Sequence, residues 1–147
     1  MKIEQESQVG ASRADVWGLL QDVPRAAGLI PGVSDVVETG PNTYSGKMTT
    51  RVGPMKISLD GELTSTQNAE DYTWRIEGNA KAMAGGGLRV IVDAAIAEAG
   101  SDSSTLTVAT DIQFMGKLGT MGQPFIRSKA NSQMKDFIKN LEKELKK

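Results

Sequence analysis

Residues 43–63 read TYSGKMTTRVGPMKISLDGEL. Before Gly53-Pro54, the residues Tyr44, Gly46, Met48, Thr50 and Val52 fall on alternate positions, with Lys47 and Arg51 between them. After it, Ile57, Leu59, Gly61 and Leu63 alternate with Lys56, Asp60 and Glu62. A period of two with every charge on one side predicts a strand with one buried face. The uncharged set passes from even to odd numbers across Gly53-Pro54. The two strands share a face only if that turn resets the register. The stretch is therefore a hairpin with one face free of charge.

The pattern extends in both directions. Downstream, Tyr72, Trp74, Ile76 and Gly78 form one inward set, Leu88, Val90, Val92, Ala94 and Ile96 a second, and Leu106, Val108, Thr110, Ile112 and Phe114 a third. The connections are turn-like: Ala80 to Gly87, ending in three glycines, and Gly100-Ser101-Asp102. Upstream, a strand is expected over about 33–39, closed by the hairpin signal Gly40-Pro41-Asn42. Residues 2–9 alternate with Ile3, Gln5, Ser7 and Val9 on one face. Ser12 and Asp15 resemble a capping box that opens a helix over 13–21, and Pro24 opens a second short helix ending near Gly28. The last helix is expected from about 117 to 145, with Phe125, Ile126, Ala130, Met134, Phe137, Ile138, Leu141 and Leu145 as its apolar stripe. Its start is weakened by Gly116, Gly119, Gly122 and Pro124, since an interior Gly costs about 1 kcal/mol and an interior Pro about 3.

The order is strand, two short helices, six hairpin-linked strands and one long helix. It predicts a single α+β domain over 1–147, a curved antiparallel seven-stranded sheet wrapped around the C-terminal helix: the helix-grip architecture.

Composition narrows the chemistry. The 147 residues include no Cys and no His, so there is no disulfide, no thiolate nucleophile and no imidazole proton carrier. No metal site is expected, and the lack of Cys fits a cytoplasmic protein. No apolar run approaches the ~18 residues that cross a bilayer. Residues 1–116 carry nine basic and fifteen acidic side chains, and residues 117–147 carry eight and three. The basic helix reads either as a solvated face or as a surface for an acidic partner or anionic lipid. A pI near 5.5 and the lack of interleaved aromatics argue against nucleic acid.

Lys47, Arg51, Lys56, Asp60, Glu62, Arg75, Glu77, Arg89, Asp93 and Asp111 all have outward parity and read as a solvated face. The inward set holds no charge except Asp35 or Glu98 at strand ends, which are expected to reach solvent at the rim. No catalytic residue is assigned. The inward glycines and alanines either let the sheet curve or leave a cavity, and the methionines either line it or pack. The candidate lining is Tyr44, Met48, Thr50, Leu59, Tyr72, Trp74 and Met83, continued by Leu88, Phe114, Met115, Leu118, Met121 and Phe125. Tyr44, Tyr72, Trp74 and Thr50 are the candidate donors to a ligand carbonyl, although an inward Tyr is more often a core residue with a bonded tip. Gly116, Gly119, Gly122 and Pro124 are a candidate hinge, with the 80–87 tip as the other half of a gate. Gly85-Gly86-Gly87 is no phosphate loop, since no Gly-Lys-Ser/Thr follows.

MKIEQ at the start, VWGLL, IPGV, YSGKM with VGPMKISLDGEL, and GKLGTMG before the last helix resemble the CoxG family of carbon monoxide dehydrogenase subunits. That family lies in the START-like (SRPBCC) helix-grip superfamily, with polyketide cyclases and lipid-transfer domains. The resemblance implies a non-enzymatic accessory protein that binds a lipophilic, quinone-like molecule and links a molybdenum-dependent dehydrogenase to the inner face of the membrane. Many members add a C-terminal hydrophobic segment, whereas this sequence stops at ELKK. A cyclase- or hydratase-like enzyme using Asp35 or Glu98, and a ligand-free adaptor, are the alternatives.

Overall fold

The computed structural model describes the chain except residues 53, 84, 117, 118 and 120–122 and the side chain of residue 52. The element order is β1 (Lys2–Val9), α1 (Arg13–Gln21), α2 (Val23–Ala27), β2 (Val33–Gly40), β3 (Thr43–Val52), β4 (Met55–Asn68), β5 (Thr73–Ala82), β6 (Gly87–Gly100), β7 (Ser103–Met115) and α3 (Gln123–Leu145). All seven strands form one antiparallel sheet in the order β1-β7-β6-β5-β4-β3-β2. The six-strand meander and the terminal helix are those expected.

The register explains the parity change across residues 53–54. Val52 pairs with Met55, so Thr50 faces Ile57, Met48 faces Leu59, Gly46 faces Gly61 and Tyr44 faces Leu63. A two-residue connection pairs even with odd positions and keeps the uncharged set on one face. The inward glycines Gly61 and Gly78 sit where a Cβ would come within 3.1 Å of a neighbouring strand's carbonyl. They allow close strand approach in a bent sheet.

α1 is capped as its sequence requires: Ser12 Oγ accepts from the Asp15 amide at 3.2 Å. Val16, Trp17, Leu19 and Leu20 turn inward from it. The exit turn after α2 needs glycine. Gly32 has φ +89°, and a Cβ there would run into the Thr49 carbonyl oxygen. We expect Gly32→Ala to lower stability by about 2 kcal/mol or more in denaturant titration, because strain and steric conflict add.

Two core clusters lie between sheet and helices. The larger joins Val9, Val16, Trp17, Leu19, Leu20, Ala94, Ile96, Leu106, Ile138 and Leu141. The smaller joins Ile3, Ile57 and Ile126, with Leu59, Leu88, Ile112, Phe114 and Ala130 against it.

α3 is described from Gln123; of the stretch expected to lead into it, residues 117, 118 and 120–122 lie outside the described residues. Pro124 falls in its first turn, where a missing N–H leaves no helical bond unmade. Gly116 has φ +64°, outside helical geometry, and a Cβ on it would meet Gly86 Cα at 2.7 Å. Phe125, expected in the apolar stripe, is 55% exposed, while Ile126 beside it is 8% exposed. One residue is a rotation of about 100° on a helix, and that turns Phe125 off the buried side.

Candidate functional site

Between the inner face of the sheet and helices α2 and α3 lies a hollow of about 280 Å³. Its sheet wall is a row of cross-strand partners: Gln5 opposite Val108, Val108 opposite Ala94, Ala94 opposite Trp74. Leu63, Ile76, Val92, Leu106 and Thr110 extend that wall. α2 and its exit contribute Ala26, Ala27 and Ile30, and α3 contributes Ala130, Gln133, Met134 and Phe137. None of these described lining residues can ionise. A broader depression of about 1270 Å³ lies on the outer face. It is open and bears Glu4, Glu6, Arg75 and Asp93, so it is not suited to a greasy guest. There Arg75 holds Asp93 in two hydrogen bonds of 2.7 and 3.1 Å, which draws the Asp93 carboxyl below its ordinary range.

The polar atoms of the hollow are few. Trp74 brings an indole N–H and Thr110 a hydroxyl, both able to donate to a carbonyl. Gln5 Nε2 donates to the Ala130 carbonyl at 3.0 Å, and Gln133 Nε2 to the Pro31 carbonyl at 3.1 Å. These two amides bridge from β1 to α3 and from α3 to the α2 exit, so they frame the hollow and close it. Asn140 to the Leu29 carbonyl at 2.9 Å and the Gly10 amide to Glu142 at 2.8 Å extend the clasp along α3.

The clasp ends at Arg25 and Glu144, 3.0 Å apart. The hydrogen bond from Arg25, followed by that from Lys147, holds the Glu144 carboxyl below its ordinary value of 4.5. A carboxyl with a lowered folded pKa adds stability above its unfolded pKa and loses it as pH falls through the folded one. The melting-temperature gap between the native chain and Glu144→Gln should therefore be open near neutral pH and shrink below about pH 4.5. A gap independent of pH would mean that the pair does not hold the helix end.

Of the residues proposed from sequence as lining, Trp74 reaches the hollow. Leu59, Leu88 and Phe114 pack around Ile57 and Ile126 in the smaller cluster, between the hollow and the hairpin tips. Tyr44 is buried opposite Leu63, and Met48 and Thr50 are half-buried further along β3. Tyr72 takes φ 54° at the entry to β5 and packs edge-on to Trp17 at 5.5 Å, with the Arg13 guanidinium 4.1 Å above its ring. Met83, Met115 and Phe125 are exposed, because turns and a helix start carry them past the cover of α3. Leu118, Met121 and Gly122 lie outside the described residues. Gly116 and Gly86 meet, so the two halves of the candidate gate touch. Gly119 has ordinary space around it, and Pro124 is exposed.

Asp35 is exposed at an irregularity in β2, and Glu98 is exposed and 3.7 Å from Arg13. Neither faces the hollow. Among the described residues no three His, Cys, Asp or Glu are arranged to hold a metal, and no helix is long and apolar enough to cross a membrane.

Gln133 and Asn140 were not singled out from sequence, although a signal was present. They follow Ile126 at intervals of seven on the edge of the apolar stripe. Polar residues on a buried edge need partners, which marks them as contacts.

Solved structures share this fold. A conserved protein from Geobacillus kaustophilus superposes with a TM-score of 0.89 at 18% identity, over 99% of this chain and 95% of that one. A START superfamily protein from Mycobacterium smegmatis gives 0.71 at 14%, over 99% and 97%. The Zhui aromatase/cyclase from Streptomyces sp. R1128 gives 0.71 at 12%, over 99% and 93%. At such identities the likeness is one of fold, the START-like helix grip. No curated protein matches the sequence. The family of carbon monoxide dehydrogenase subunits described as CoxG matches residues 6–146, from β1 to the end of α3 and so across every element that encloses the hollow; the chain belongs to the CoxG family.

Proposed function

We propose that this protein is a non-enzymatic carrier of a lipophilic, quinone-like molecule, accessory to a molybdenum-dependent dehydrogenase and in peripheral contact with the membrane at its cytoplasmic side. The observation that carries the reading is the apolar hollow without an ionisable group among its described lining residues. Burial of apolar surface drives entry. Trp74 N–H and Thr110 O–H supply the two hydrogen bonds that a carbonyl-bearing head group needs. Proton transfer in catalysis needs a positioned acid or base, and the two strand-end carboxylates considered for that role point elsewhere.

Ligand pockets commonly span ~300–1,000 Å³, and this one, at about 280 Å³, takes a head group rather than a long chain. A tail leaving past Ala130, which borders both the hollow and the smaller cluster, would have to part the packed side chains of Leu59, Leu88 and Phe114 on its way toward the hairpin tips. That path ends where Gly86 and Gly116 meet, which gives the glycine-rich hinge its part as a gate. The family and the fold support a ligand-binding or accessory role; the quinone and the dehydrogenase are what the proposal adds.

Native mass spectrometry of the purified protein, followed by organic extraction, tests it. The expected result is a bound mass that is released as an isoprenoid quinone. A protein that stays empty after incubation with quinone, yet binds the dehydrogenase, would be an adaptor and would end the carrier reading.

A further inference from the structure

Five large hydrophobic side chains stand exposed among the described residues, and four of them share one end of the molecule. Met55 opens β4 after the β3 turn, and Met83 follows β5, its amide donating to the Ser58 carbonyl of β4. Met115 closes β7 opposite Gly87, and Phe125 lies in the first turn of α3. Met83 is 83% exposed and Phe125 is 55% exposed. Apolar groups gathered on one surface of a folded domain mark an interaction site.

The same end is cationic. Arg51 and Lys56 face each other across the β3–β4 hairpin, Lys81 is on β5, and Arg127 follows Phe125; all four are exposed. Among the described residues, none of them is in an ion pair. The loops at the opposite end carry acids, including Glu70, Asp71 and Asp102. Basic side chains stand at that opposite end too, and three of them, Arg13, Arg25 and Lys147, are paired with carboxylates.

We propose that this end is a docking surface for an anionic lipid bilayer. Flexible Met and Phe side chains enter the headgroup region while Arg and Lys remain with the anionic headgroups. Two features favour a bilayer over an acidic protein. Protein interfaces have cores depleted in Lys, whereas here lysines sit among the apolar groups. The four apolar side chains also stand on separate turns and a helix start, which suits a fluid surface better than a fitted pocket. The proposal rests on the membrane contact included in the carrier reading, and it assigns that contact to particular residues.

Sedimentation with vesicles of phosphatidylcholine, with and without phosphatidylglycerol, tests it. The native chain should pellet with the anionic vesicles only, and less as salt is raised. Lys56→Gln with Lys81→Gln should weaken binding about fivefold per charge. Met83→Ser with Phe125→Ser should weaken it again, and both pairs should melt as the native chain does, since all four side chains are exposed. Lys143→Gln with Lys146→Gln, at the far end of α3, should leave binding unchanged. No sedimentation of the native chain, or equal loss from the far pair, would overturn the proposal. Quinone extraction is scored separately: cargo without vesicle binding leaves the carrier and removes the docking surface, and vesicle binding by an empty protein does the reverse.

Discussion

Leu141→Ala should unfold about 3 kcal/mol more easily than the native chain, with a melting temperature lower by roughly 10 °C. Leu141 has no exposed surface and lies in the cluster that joins α3 to Val9, Val16, Leu19 and Leu106. Truncation removes the transfer free energy of the lost carbons and leaves a void. Residues from α1, α3 and three strands bound that void, and these elements cannot close in together. Urea titration with matched slopes measures it. A loss below about 1 kcal/mol would mean that α3 rests on the sheet without being part of its core.

Ala130→Phe should abolish cargo binding, with a loss of about tenfold or more, at a stability cost under about 1.5 kcal/mol. In a filled core an added ring forces neighbours off their rotamers and costs about 1–3 kcal/mol. Ala130 instead borders open space, where added carbons fill a void. The Gln5 hydrogen bond is to the Ala130 backbone carbonyl, so the clasp survives the substitution. Titration with a short-chain quinone and a thermal melt give the two readings. Strong destabilisation would show that the space is closed in solution. Unchanged affinity would place the ligand elsewhere.

The helix-grip architecture was legible because it is written in periods. Tyr44 to Val52 and Ile57 to Leu63 keep one face uncharged, and the pairing of Thr50 with Ile57 follows from a two-residue turn. The stripe from Ile126 to Leu145 needs a concave surface, and the sheet supplies it. The position of the hollow was less legible. Inward parity is shared by Leu59, Leu88, Phe114 and Trp74, yet the first three close on Ile57 and Ile126 while Trp74 faces open space. Parity reports the face of a strand and not the distance to what covers it. The wall formed by α2 was missed for the same reason: Ala26 and Ala27 look like spacer residues until the helix is laid over the sheet. Tyr72 resembles a ligand handle by parity, but Arg13 and Trp17 enclose its ring.

The order of side chains along the chain settled which faces could be buried, since alternation and helical period are local consequences of backbone geometry. It therefore determined the seven strands, the covering helix and an interior without charge. Where that interior stays open was decided by the helices' depth of seating, and the clasp from Gln5, Gln133, Asn140 and Glu144 sets that depth. The spacing of Gln133 and Asn140 marks them as contacts, but no local period records which distant carbonyls, Pro31 and Leu29, they reach.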